Sequence, residues 1–484
     1  MQSRNHWDPA RATILAWMIL LLPALAAANT YIGSAVCGGC HGPIRAEGGP
    51  KYTRWQQTNH AKIYNTNVTA DKFISDWTDG QVVTLNRTST VTVQVTLHTS
   101  PTYAVTIGGT RYPIIRVHGA VNNPKDVDPD PARAPKPGHT AFIGKQRYHV
   151  RIGNSDFILP IQWNPVADLD GKNQGWTGYN VQNWFAADGT PTVPTLDKAE
   201  ARDCAGCHQT GVVPAFDGTE WTITRIEENI ACEACHGPGG DHLAGGGGAN
   251  IVNPSNLTVA QANDICGSCH SRGESVGQLG AKALSYPYNG TRTFLPGDAL
   301  ADFFALSSKP ADYWGNGVSK SHHQQAHDFA LSQHVAAGVR CIDCHDVHGT
   351  ANEHDLRTSA RNNQLCLGCH TAEFPDTAAV ATHTKHDPAN TASPRCVDCH
   401  MPSVQKSAVN FDIHAHAFQP LLPQDTLTYK MPSSCAICHR SAGSGPYLVD
   451  SDISRWDEPA DVNIAIWLSQ KFRTAVRSFW SHYR

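Results

Sequence analysis

Between residues 81 and 163 the chain alternates β-branched and polar residues with a period of two, the pattern of half-buried strands. It predicts strands at Gln81–Leu85 and Val91–Leu97, and a hairpin from Tyr103 to Pro113 that turns at Gly108-Gly109. A Pro-rich loop, Asn123–Gly138, separates these from strands at Gln146–Arg151 and Asp156–Trp163. The pattern changes twice more. Residues Lys320–His334 predict a helix that places His323 and His327 on one face, with His334 near it. Residues Pro459–His482 predict an amphipathic helix, apolar at Ile464, Trp467, Leu468, Phe472, Val476 and Phe479.

Elsewhere hydrophobic periodicity is weak, and a different repeat organises the chain. Cys-x-x-Cys-His occurs eight times, at Cys37/Cys40/His41, Cys204/Cys207/His208, Cys232/Cys235/His236 and Cys266/Cys269/His270. It continues at Cys341/Cys344/His345, Cys366/Cys369/His370, Cys396/Cys399/His400 and Cys435/Cys438/His439. The eight copies use all 16 cysteines. Cys₄ zinc sites or disulfides would use the thiols but leave a histidine after every second cysteine without a purpose. Covalent attachment of haem c uses all three residues: two thioethers to the porphyrin and an imidazole beneath the iron. Eight covalently attached haems c are therefore expected. Charged residues make up only 17%, while Gly 40 and Pro 30 signal many turns. The flat apolar haems would replace much of the missing aliphatic core, so the chain folds around its cofactors.

Residues 1–28 read as a secretory leader: Arg4 and Arg11, an apolar run Ile14–Ala28, then Ala26-Ala27-Ala28 as a cleavage site. The run is short for a membrane span, and no integral span is expected after its removal. Export agrees with c-type haem, which bacteria attach outside the cytoplasmic membrane. The expected location is the periplasm or the outer cell surface. A net charge of −4 gives no sign of a nucleic-acid partner.

The string Tyr31–His41 continuing to Trp55-Gln-Gln-Thr-Asn-His60 resembles multihaem cytochromes related to the tetrahaem cytochromes of ammonia oxidisers. So do Cys235-His-Gly-Pro-Gly-Gly-Asp-His242, Leu159-Pro-Ile-x-Trp163, Cys399-His-Met-Pro402 and His414-x-His416-x-Phe418. The resemblance spans most of residues 31–440. It implies that His60 and His242 are axial ligands. Tyr286-Pro-Tyr-Asn-Gly and Phe294-Leu-Pro-Gly-Asp belong to the same resemblance, without a derived role.

Of the 26 histidines, eight end the motifs and His6 lies in the leader, leaving 17 for distal positions. After the leader only Met401 and Met431 remain as alternatives. Bis-His coordination throughout is thus open to the chain, with His60, His242, His323, His334, His348, His386, His414 and His416 as candidate distal ligands. His322 and His327 compete with His323, and His383 with His386; His416 is preferred to His414. His345 and His348, three apart, can bind iron only in different haems, which would interlock neighbours. His98, His118, His139 and His149 are expected to be structural.

The expected fold is a haem-organised multihaem cytochrome: mostly short helices and loops around eight c-type haems, with a small antiparallel β module inserted after the first. The expected divisions are the leader 1–28, first haem segment 29–66, β-rich insertion 67–200, haems two to four at 201–300, haems five to eight at 301–450, and a terminal helix 451–484. The insertion would serve as a partner-docking surface or as a cover over haem. The function expected is electron transfer in periplasmic or extracellular respiration. Partners would be other cytochromes or a quinol-linked membrane donor, with self-assembly into filaments an overlapping case. The competing class is an octahaem oxidoreductase acting on nitrite, hydroxylamine or tetrathionate at one open haem. Against it, no Cys-x-x-Cys-Lys occurs, and the stretch after His439 carries only Tyr447 and Tyr483.

Overall fold

The computed structural model describes residues 30–42, 49–119, 144–166, 173–248, 250–386, 395–407 and 411–435. The expected leader, Pro-rich loop and terminal helix, with His139, Cys438 and His439, lie outside the described residues. The period-two alternation becomes strands close to where the pattern places them: β1 Tyr64–Asn65, β2 Val82–Asn86, β3 Thr92–His98, β4 Ala104–Ile107 and β5 Thr110–Pro113. These are followed by β6 Arg116–His118, β7 Gln146–Ile152, β8 Ser155–Asn164 and β9 Gly175–Gly178. The β4–β5 hairpin turns through Gly108 and Gly109, both at positive φ (56° and 82°), which glycine adopts without a Cβ penalty.

The strands form two antiparallel sheets, ordered β2-β3-β4-β5 and β1-β6-β7-β8-β9. Val83, Leu85, Val93, Val95 and Leu97 are buried at every second position of the first sheet. They join Tyr148, Val150, Phe157, Leu159 and Ile161 of the second in one core, which also takes in Trp184 and Phe185. The other face of the β6–β7 pair is polar. Arg116 lies opposite His149 and His118 opposite Arg147, and directly opposed residues share a face.

The rest of the described chain is short helices and turns. Its longest helix, Val259–Gly267, has 9 residues and starts with a Thr258–Gln261 capping box. Helices this short are marginal on their own and rely on tertiary partners. A second apolar cluster, Trp314, Val318, Val404, Phe411, Leu421 and Met431, supports the late motifs. The Lys320–His334 helix is not continuous: it is replaced by Gln325–Ala330 and Gln333–Ala336. The backbone of Ser321 bridges to Lys406, and buried Asp328 accepts from Ser319 N at 2.9 Å and from His416 N at 3.2 Å. These long-range bonds override the local helical period. His323 takes φ 48° outside any helix, so it does not share a helical face with His327. Among the described residues no helix is long and apolar enough to cross a membrane.

Candidate haem channel

Each described motif is built on one tight turn. His270 N bonds Cys266 O at 2.8 Å, His345 N bonds Cys341 O at 3.0 Å, and His370 N bonds Cys366 O at 3.0 Å. In motifs one, three and seven the whole pentapeptide lies in a helix. One helical turn puts residues i, i+3 and i+4 on the same side. The spacing therefore delivers two thiols and an imidazole to one face, as a thioether-linked porphyrin requires.

Thiols of different motifs meet. Cys37 and Cys232, Cys207 and Cys269, Cys266 and Cys341, and Cys366 and Cys396 are close enough for each thiol to perturb the other. Cys235 also feels the charge of Cys269, and Cys344 that of Cys369. Were a porphyrin joined to each pair of thiols by short thioether arms, sulfurs this near one another would bring neighbouring macrocycle edges together. Among the described residues no group of three or more His, Cys, Asp or Glu gathers to hold a bare metal ion. The cysteines converge in pairs across a continuous cavity of about 3290 Å³, lined by parts of every motif from the second to the eighth.

Cys40 is exposed, as is Cys369, while the other described cysteines are partly buried. Cys369 still lines the cavity, but Cys40 does not. The structure therefore carries Cys37 onto Cys232 and leaves Cys40 at the surface, one turn further along the same helix. The cause is how the Ser34–His41 helix is anchored. Its first residue is buried, with Ser34 N donating to Glu227 Oε2 at 2.9 Å, and Cys40 lies six residues beyond that anchor.

Histidines face each other across the space between motifs. Ring centroids are 6.4 Å apart for His41/His242, 6.3 Å for His60/His270, 6.1 Å for His236/His348, 6.2 Å for His334/His370 and 6.0 Å for His383/His400. Two metal–imidazole bonds of about 2 Å in line, each with its ring centre about 1.1 Å behind the nitrogen, span about 6.2 Å. The five separations match that span. In every pair one partner closes a Cys-x-x-Cys-His motif.

Hydrogen bonds fix several of these rings. His236 Nδ1 meets Val252 O at 2.7 Å, His345 Nδ1 meets His354 O at 2.9 Å, and His348 Nδ1 meets Asp346 Oδ1 at 3.1 Å. His414 and His416 are oriented in the same way, by Met401 O and His414 O. A ring that donates through Nδ1 presents the lone pair of Nε2. Burial drives His60 and His208 down to about 4 and His416 to about 3, so these imidazoles are neutral near pH 7 and able to ligate.

The structure brings together His60, His242, His334 and His348 with motif histidines. It sets His383, not His386, opposite His400. His386 is exposed, with Nδ1 on Thr384 O at 2.7 Å. His323 lies against His322, Nδ1 to Nδ1 at 2.9 Å, rather than across from a motif histidine. Met431 is buried in the Trp314 cluster, which leaves its sulfur as packing.

The second and fifth motifs differ. Like His345, His208 has no described imidazole at the spacing of the five pairs. Its ring lies 4.8 Å from His118 and 5.7 Å from Tyr64, and His118 Nδ1 lies 3.1 Å from His149 Nε2. Behind them Arg116, itself 2% exposed, reaches Asp156 at 3.5 Å, Glu200 at 3.8 Å and Glu228 at 3.1 Å. Burial lifts the Glu200 carboxyl to about 7 against the pull of Arg116. His118 and His149, expected to be structural, thus stand beside a motif histidine. The available signal was strand alternation, which puts residues 116 and 118 on one face and makes it polar.

Comparisons with known proteins agree with this geometry. The family described as "Doubled CXXCH motif" matches residues 333–374, and "Cytochrome c554 and c-prime" matches residues 180–237. The multiheme cytochrome MtrA of Shewanella baltica (strain OS185) is 25% identical over 287 residues, 51% of this chain and 69% of MtrA. The outer cell wall cytochrome OcwA has a similar fold, with a TM-score of 0.57 at 20% identity over 84% of this chain and 83% of OcwA. An undecaheme cytochrome from the S-layer of Carboxydothermus ferrireducens superposes less well, with a TM-score of 0.43 at 16% identity over 98% of this chain and 64% of that one. The motifs, the facing histidines and these matches define a multihaem c-type cytochrome, which binds haem c and transfers electrons.

Proposed function

We propose that this chain is an octahaem electron conduit of periplasmic or extracellular respiration, with haems held close together and mostly bis-His ligated. Haem iron supplies reversible one-electron chemistry; the chain supplies spacing, ligands and dryness. The observation that carries the reading is the set of five imidazole pairs at 6.0–6.4 Å. Two imidazoles close both axial positions, which leaves no site for substrate and asks for little rearrangement when charge changes. The thiol contacts order the attachments as one, three, four, five, six and seven, with the second joined at the fourth. His242 then serves motif one, His348 motif three, His60 motif four, His334 motif six and His383 motif seven. His416, on which His345 acts most among charged neighbours, serves motif five.

The nearer kinship with tetrahaem cytochromes of ammonia oxidisers rests on the Trp55…His60 and Cys235…His242 strings. Export and redox-protein partners follow from the leader pattern and from relatives named for the outer cell wall. One observation favours the second reading, an octahaem oxidoreductase of nitrite, hydroxylamine or tetrathionate: the lack of a described imidazole across from His208. Electron paramagnetic resonance of the oxidised holoprotein, with haem counted by pyridine haemochromogen, tests the choice. Eight haems with low-spin ferric signals at the paired sites support the conduit. High-spin iron at several sites defeats it, and turnover of one of those substrates selects the enzyme.

A further inference from the structure

The polar face of the β6–β7 pair continues toward the second motif through Lys145 and Arg147. Both line the cavity together with His118 and His208. Arg147 is 7% exposed, donates from Nε to Gln162 Oε1 at 2.8 Å, and stacks 3.5 Å over the Tyr179 ring. Lys145 Nζ donates to Ser407 Oγ at 2.5 Å. Among the described residues neither makes an ion pair. Nearby Arg272 has Asp312 at 3.7 Å, so it is provided for.

Two cations lining one cavity, hydrogen-bonded to neutral side chains and with Asp412 acting on Lys145, have room for a further counter-charge, which a buried charge needs. Burial, with Arg147, Lys406 and Arg272 close by, pushes the Lys145 ammonium well down despite the opposing pull of Asp412. Burial lowers Arg147 as well. The guanidinium edge that Gln162 leaves unused is shaped for a carboxylate. A c-type haem brings two propionates on the edge away from its thioethers, and the cavity that Lys145 and Arg147 line takes residues of every motif from the second to the eighth.

We propose that Lys145 and Arg147 form the seat of a propionate belonging to a haem held in this cavity. This makes the second sheet part of the cofactor site, and the inference rests on the conduit reading. Pairing two cations with that edge also favours the reduced, less positive iron, so this haem would take electrons at a higher potential than without them.

The test uses the purified holoprotein with Lys145→Met, Arg147→Met and the charge-keeping Arg147→Lys. In a spectroelectrochemical titration, the two Met variants should each move one reductive step to lower potential. Arg147→Lys should bring it back toward wild type, with low-spin resonances unchanged. Loss of one haem equivalent in the Met variants, restored in Arg147→Lys, also supports the seat. Identical titration curves at full haem content overturn it. So does a change in the ferric spectrum of wild type on adding nitrite or inorganic phosphate that Arg147→Met abolishes, since the occupant is then a free oxyanion. High-spin signals at the paired sites of wild type would instead overturn the conduit reading, and are read separately.

Discussion

Glu233 holds the first haem segment against the third. It is 1% exposed, and its carboxylate accepts from Ile32 N at 2.9 Å, Gly33 N at 2.8 Å and Gly239 N at 2.8 Å. Oε1 serves Ile32 and Gly239, while Oε2 serves Gly33. In Glu233→Gln the amide oxygen can keep the first two bonds, but its NH₂ group then meets the Gly33 N–H, donor against donor. One unsatisfied buried donor costs about 1–3 kcal/mol. Taking about 2 kcal/mol, local opening of the segment becomes roughly 30-fold more frequent, since about 1.4 kcal/mol is a factor of ten. Amide hydrogen exchange by mass spectrometry measures that opening. Exchange over residues 30–41 should accelerate about 30-fold, while the β3 amides of Val95 and Leu97 stay as they were. Haem content should not change, because the thioethers are covalent. Acceleration of less than about 3-fold over residues 30–41 would show that another contact bears the load, and the clamp argument fails.

Four further outcomes are expected. His383→Ala should convert one low-spin ferric haem to high spin, whereas His386→Ala should leave the resonance spectrum unchanged; the reverse result would restore the choice made from sequence. Replacing Cys204 and Cys207 together by Ala should lower the pyridine haemochromogen count by one equivalent. Folding raises Glu200 to about 7 from its ordinary 4.5, so its contribution to stability is full below about 4.5 and is lost as pH rises through 7. Glu200→Gln should therefore gain on wild type in thermal unfolding between pH 5 and pH 8, and a constant difference would contradict this. Leu97→Ala, at a position 0% exposed in the shared sheet core, should cost about 2–5 kcal/mol in denaturant unfolding.

Relatives and sequence converge for different reasons. A match over residues 333–374 detects the doubled motif because five residues of a covalent site must keep their spacing. The β strands were equally legible, since burial on one face imposes a period of two that local sequence records; β3 and β8 begin and end within about one residue of their expected bounds. The Lys320–His334 helix was not. The backbone of residues 319–321 found partners at Asp328, Asp312 and Lys406 instead.

The sequence by itself placed the eight Cys-x-x-Cys-His motifs, because the chemistry of such a motif is confined to five consecutive residues. It also offered many more histidines than methionines as distal ligands. Which imidazole faces which motif was decided only in three dimensions. His60 and His270 are 210 positions apart yet 6.3 Å across, and no local period encodes such a distance. The same holds for His383 over His386: both follow the sixth motif closely, and only the course of the Thr377–Thr384 helix aims one at His400 and leaves the other at the surface. Local spacing specifies what a segment can bind, and long-range packing specifies what it meets.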